Sequence, residues 1–207
     1  MQTATTLYFP IDQPKNQLHF SRALQKKIKN IDVARPIIFL CIGSDRATGD
    51  SLGPIIGEQL EHRLRQLSGS GSRHIQKKVT IYGTLQQTVH AGNLSVVLSE
   101  IYDHYENPFV IAIDASLGVP DHIGYVTLGE GCLRPGIGVR HKLPSAGDIH
   151  ITGIVNHSTD NNHLTLQTTR LNTVVELSTF ISEGILEALH VRSSFQCPQK
   201  RHFINIF

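Results

Sequence analysis

PIIFLCIGSDRATGDSLGPIIG, residues 36–57, is the stretch on which the fold turns. Ile37 to Ile42 form an unbroken apolar run of strand length, the pattern of a strand buried on both faces, as in a parallel sheet. Gly43 ends it. After a polar loop, Leu52, Ile55, Ile56, Leu60, Leu64 and Leu67 recur at helical spacing, so strand, loop and amphipathic helix follow one another as the first half of a βαβ unit. In open α/β sheets, ligands and chemistry collect at the carboxyl ends of the strands. The loop Ser44 to Asp50 lies there, and Asp50 is its first candidate for chemistry.

Two other readings of that loop stand beside the catalytic one. Asp50 precedes a helix with Pro54 in its first turn, so its carboxylate could serve as an N-cap. Gly43, Gly49 and Gly53 suggest a phosphate cradle. However, no Lys-Ser or Lys-Thr follows Gly49, and the glycine spacing is not that of the dinucleotide fingerprint.

Working outward, 207 residues with 40% hydrophobic content and no internal repeat suit one α/β domain with a sizeable core. We divide it into an N-terminal arm (1–35), a core (36–190) and a C-terminal extension (191–207). Nineteen basic against 17 acidic residues leave a net charge of +2, which carries no electrostatic footprint for nucleic acid or an anionic membrane. Twelve histidines titrate near neutrality, but their number alone assigns them no task. Cys41, Cys132 and Cys197 are odd in number and in no C-x-x-C arrangement, against a disulfide framework or a cysteine zinc site. With no signal-like N-terminus and no apolar run of spanning length, the expectation is a soluble cytoplasmic protein.

Before the central stretch, Leu18, Phe20, Leu24, Ile28 and Ile31 predict a helix from about Gln17 to Asn30, packed on the sheet edge. The run Lys26, Lys27, Lys29 reads as its solvated face. Beyond the stretch, SGSGSR (68–73) reads as a flexible connection and Val79 to Tyr82 as a second strand. Leu94, Val97, Leu98, Ile101 and Tyr105 predict a helix stopped near Asn107-Pro108, and Phe109 to Ile113 a third buried strand. Asp114 stands directly after it. Parallel strands deliver their ends to one edge of the sheet, so Asp50 and Asp114 can meet despite their distance in sequence. Two adjacent carboxyls tend to share one proton, which lets one activate water while the other acts as an acid. The alternatives for Asp114 are a turn cap over Ala115 and Ser116, or a pairing with an arginine.

Further on, Ile123 to Leu128 reads as a strand, Gly129 to Gly138 as an irregular loop, and Val139 to Gly147 as a basic segment of the kind that covers active sites. Its His141 is a metal ligand, a general base, a substrate contact or merely a solvated ring. Asp148 to Asn156 reads as a strand, His157 to His163 as a polar linker, and Leu171 to Leu189 as a strong amphipathic helix. The apolar tail 191–207 suits an edge element or an oligomer contact. No G-x-S-x-G elbow supports a serine triad, and no H-E-x-x-H supports a zinc site. Asp50, Asp114 and a loop histidine would still make a carboxylate–imidazole metal set.

CIGSDRATGDSLGPIIG (41–57), YGTL (82–85), AIDASLG (112–118), RPGIGVRHKLPSAGDIHITGIVN (134–156) and LQTTRL (166–171) strongly resemble the YyaC sporulation proteins of spore-forming bacteria. The resemblance runs from about Pro36 to Leu189. That family is grouped with the germination protease, which degrades small acid-soluble spore proteins, and more remotely with hydrogenase maturation peptidases. The resemblance implies an α/β/α sandwich of the phosphorylase/hydrolase kind. It also implies a catalytic aspartate in Asp-x-Leu-Gly-Pro, here Asp50, Leu52, Gly53 and Pro54, and a second in Ala-Ile-Asp-Ala, here Ala112 to Ala115 with Asp114. In the maturation peptidases, acidic residues at these two places and a histidine bind nickel; His141 is the one guess for that histidine here. The germination protease is longer and made as a zymogen, so its substrate does not transfer.

The expectation is therefore a three-layer sandwich around a mostly parallel sheet, acting as a sporulation-associated peptidase with Asp50 and Asp114 catalytic. Gly43, Ser44, Arg46, Thr48 and His141 would contact a peptide or protein substrate, such as a spore protein. No cofactor is expected, a divalent metal at the aspartates being the lesser alternative. Nucleic acid and membrane are not expected partners; a homo-oligomer is allowed. The competing reading is a non-catalytic factor that holds a peptide or protein in the same cleft.

Overall fold

The computed structural model describes residues 5–32, 34–69, 78–135 and 143–189. In chain order these form β1 (Thr6–Pro10), α1 (Pro14–Ile28), β2 (Ile37–Cys41), a 3-10 turn (Gly49–Ser51), α2 (Leu52–Gly69), β3 (Val79–Tyr82), α3 (Leu94–His104) and β4 (Phe109–Gly118). A second 3-10 turn (Pro120–His122), β5 (Tyr125–Glu130), β6 (Ile149–His157), α4 (Asn162–Gln167) and α5 (Leu171–Ala188) complete them. The six strands make one sheet in the order β1-β5-β6-β4-β2-β3. β3, β2, β4 and β6 are mutually parallel, and β5 is antiparallel to both of its neighbours.

Alternation along the strands divides the core into the two faces of the sheet. Ile37, Phe39 and Cys41 of β2, with Phe109, Ile111 and Ile113 of β4, face a layer built from α1, α2 and α5. Ile38, Leu40 and Ile42, with Val110 and Ala112, face α3 through Leu94, Leu98 and Ile101. Helices thus cover both faces, giving the expected three-layer α/β/α sandwich. All five residues of β2 are buried, as its unbroken apolar run requires.

The described structure corrects several boundaries. Thr6–Pro10, read from the sequence as part of a polar arm, is an edge strand paired with β5. Only Phe9 in it is buried, which is too little apolar signal to register as a strand. The N-terminal helix starts at Pro14 and lies on the sheet face rather than its edge. Phe20 is fully buried between Phe9 and Phe180, and Gln17 Nε2 donates to the Phe180 carbonyl at 2.9 Å. β5 is Tyr125–Glu130 and takes Gly129 and Glu130 from the expected loop. Asp148 lies just outside β6, its Oδ2 accepting the Val110 N–H at 2.8 Å. The expected linker 157–163 ends inside α4, whose N-cap Asn161 accepts the Leu164 N–H. The tail 191–207, most of SGSGSR and His141 lie outside the described residues.

Candidate active site

Asp114 is not beyond β4 but within it. Cys41 of β2 is level with Ile113, and the Ile42 N–H donates to the Ile113 carbonyl at 2.7 Å. β2 then turns away, while β4 continues alongside β6, with Asp114 opposite Thr152. Asp114 is thus the first residue of β4 past the end of the β2 ladder. It shares the parity of Val110 and Ala112, which faces α3. A turn-capping role does not fit a residue in a continuous strand. Among the described residues, no arginine or lysine pairs with it.

Asp50 is brought to the same place by the turn that follows β2. Gly43 has φ +144°, and a Cβ there would overlap the Asp50 carbonyl oxygen. That oxygen accepts the Ser44 N–H at 3.1 Å, closing the loop on itself. Gly53 lets α2 lean on the strand end, since a Cβ on it would overlap the Ile42 carbonyl. Space at Gly43 and Gly53 is therefore filled by the chain's own backbone, and the Gly43 N–H is taken up by the Val89 carbonyl at 2.7 Å. Asp50 sits inside the 3-10 turn; the cap position is Thr48. This corrects the N-cap reading.

The two carboxyls line one cleft of about 480 Å³, together with Ile42, Gly43, Ser44, Arg46, Ala47, His90, Ala91, Pro135, Leu143, His163, Leu166 and Gln167. Burial raises both acids. Asp114 stands well above the usual carboxylate range, first because it is desolvated and then because Asp50 faces it, with the Ala115 N–H pulling the other way. Asp50 is raised by burial, and the Ser44 N–H, His90 and His163 oppose the rise. A carboxyl raised by burial and by a neighbouring carboxylate, as Asp114 is by Asp50, keeps its proton more readily than a separate acid does.

Of the residues expected to touch substrate, Gly43, Ser44 and Arg46 line the cleft, and Arg46 is exposed at its mouth. Thr48 does not line it. It opens the 3-10 turn, its carbonyl accepting the Ser51 Oγ–H at 2.6 Å. Two histidines that the sequence did not single out do line the cleft. His90 arrives on the connection from β3 to α3, a third strand end on the same sheet edge. His163 arrives on α4, which is moored where Asn156 Nδ2 donates to Thr165 O and Thr169 Oγ1, both at 3.3 Å. The missed signal was His90-Ala91-Gly92-Asn93 just after a parallel strand; His163 had none, because α4 itself was not legible.

Among the described residues, no group of three or more His, Cys, Asp and Glu side chains is gathered closely enough to hold a metal ion. No described helix is long and apolar enough to cross a membrane.

An α/β/α sandwich with paired carboxyls at a parallel strand end defines the class of protein this is. The chain belongs to the family described as Protein of unknown function (DUF1256), which matches residues 8–184. It is 40% identical to the Uncharacterized protein YyaC of Bacillus subtilis (strain 168) over 174 residues, covering 81% of this chain and 80% of that one.

Proposed function

We propose that this protein is a peptidase that hydrolyses polypeptide substrates with the Asp50–Asp114 pair. The observation that carries the reading is the pair itself: two carboxyls in one cleft, Asp50 from the turn after β2 and Asp114 from within β4 just past the β2 ladder, each raised by burial, Asp114 further by Asp50. The surroundings divide their roles. Asp50, beside the Ser44 N–H, is the better placed to be ionised; Asp114, buried and facing that charge, keeps the proton.

Asp50 takes a proton from water as the water oxygen bonds to the peptide carbonyl carbon, and Asp114 gives its proton to the carbonyl oxygen. The tetrahedral intermediate then collapses. Its hydroxyl proton returns to Asp114, the C–N bond breaks, and Asp50 delivers its proton to the leaving nitrogen. The substrate class proposed is a peptide or protein, with spore proteins the first to test, met in the cytoplasm of the sporulating cell or in the spore interior.

The test is incubation of purified, metal-free protein with small basic spore proteins and unstructured peptides, read by mass spectrometry against Asp50→Asn and Asp114→Asn. Discrete products from wild type alone support the reading. Products that appear only when divalent metal is added replace it with the metal-dependent version. No products under either condition overturn it in favour of a binding factor.

A further inference from the structure

His90 is held more firmly than a loop histidine needs to be. The connection after β3 is joined to the end of β2, where Val89 pairs with Ile42 and its carbonyl accepts the Gly43 N–H at 2.7 Å. His90 follows immediately and exchanges hydrogen bonds with Asn93. Its own N–H donates to Asn93 Oδ1 at 2.8 Å, while its carbonyl accepts the N–H groups of Asn93 at 3.0 Å and Leu94 at 2.9 Å. Asn93 Nδ2 in turn donates to the Thr88 carbonyl at 2.9 Å. The backbone at His90 is therefore tied both to the strand end carrying Gly43 and to the start of α3.

The ring is fixed as well. The Gly92 N–H donates to His90 Nδ1 at 3.0 Å. A ring nitrogen that accepts a hydrogen bond carries no proton, so the neutral imidazole has its proton on Nε2. One nitrogen is spent on the backbone and the other remains a donor, on a residue that lines the same cleft as Asp50 and Asp114. Asp114 spends its proton on one lone pair of the carbonyl oxygen, and neither aspartate supplies a second, fixed donor for that oxygen as charge develops on it. A preorganised N–H aimed at such an oxygen is commonly a large part of acyl-transfer catalysis.

We propose that His90 is a further catalytic residue, donating its Nε2–H to the carbonyl oxygen of the scissile peptide as water adds to it. This rests on the peptidase reading above. The ring binds through one fixed nitrogen, so its contribution appears in the transition state rather than in ground-state affinity.

The experiment compares His90→Gln, His90→Asn and His90→Leu with wild type in two measurements. One is kcat and KM on a peptide that wild type cleaves; the other is calorimetric binding of a peptide carrying a hydroxyethylene isostere at its central bond. Gln places an amide N–H near the Nε2 position, and Asn places one near Nδ1, so Asn controls for folding without restoring the contact. The expected result is a kcat lower by about 100-fold or more for Asn and Leu, with KM within about threefold and partial recovery by Gln. Isostere binding weakens in the same order. Wild-type kcat in Asn and Leu, or a loss confined to KM, overturns the role of His90 and leaves the peptidase reading standing. A wild type that binds the isostere in a His90-dependent way but cleaves nothing overturns peptidase activity and keeps the contact. A wild type that neither cleaves nor binds overturns both.

Discussion

The carbonyl oxygen of Asp50 occupies the space that a Cβ on Gly43 would fill. Strand end and the turn bearing Asp50 are thus in backbone contact, and the φ of +144° at Gly43 is a conformation that side chains rarely adopt. Gly43→Ala must displace one of the two. We expect a destabilisation of at least about 1–3 kcal/mol, read from the urea midpoint, together with a loss of peptide cleavage. An alanine variant with wild-type stability and activity would show that the turn yields freely.

Asp114 makes stability depend on pH. Its folded carboxyl is raised by burial and by Asp50, whereas an unfolded aspartate titrates near ~3.9. Between those values the native state binds more protons than the unfolded state, so stability falls as pH rises. Asp114→Asn removes that loss, and its amide oxygen can still accept the Ala115 N–H now held at 2.8 Å. Wild type and variant should melt together near pH 4, by scanning calorimetry, with the variant melting higher at pH 7. A variant that loses ground as pH rises would contradict the raised acid.

On the proposed peptidase reading, the same pair shapes the rate. Cleavage needs one carboxyl ionised and the other protonated, so kcat/KM should trace a bell whose two apparent pKa values belong to the pair. Because both acids are raised, the bell should lie above the ordinary carboxylate range. Asp50→Asn and Asp114→Asn should each lower kcat by at least about 100-fold with the fold intact by circular dichroism. A profile flat from acid to neutral pH would argue against shared-proton chemistry.

Phe20 fixes α1 to the sandwich. It is fully buried against Phe9 and Phe180, and it fills the space a Cβ on Gly184 would need. Phe20→Ala should cost about 3–5 kcal/mol. At roughly 2–4 °C per kcal/mol for a chain of this size, the melting temperature should drop measurably. An unchanged melting temperature would mean that α1 contributes nothing to the core.

What could be read before folding was what is repeated locally. Ile37 to Ile42 and Phe109 to Ile113 announce buried strands because every residue is apolar, and the period of Leu52 to Leu67 announces the helix between parallel strands. Asp50 and Asp114 followed from topology, since parallel strands send their ends to one edge. β1 was hidden because an edge strand buries one side only, and here Phe9 alone is buried. The end of β4 was misplaced because Asp114 to Gly118 is held by pairing with β6, a partner some 40 residues away in sequence and invisible in the local pattern. His90 and His163 became candidates only once the turn after β2, the connection after β3, β4 and α4 were seen to meet; His90 had its place after a parallel strand as a signal, and nothing set His163 apart from the other histidines.

β1 also has a role that its size conceals. It covers the outer side of β5, a strand with four consecutive buried residues, Val126 to Gly129. Without residues 6–10 that strand would become an open ladder of backbone donors and acceptors, the template on which chains stick to one another. The five residues of β1 lie across β5 and β6 from β4 and contribute nothing to the cleft. By covering that ladder β1 removes an edge on which copies of the chain could pair, so loss of residues 6–10 is expected to promote aggregation before it alters the cleft.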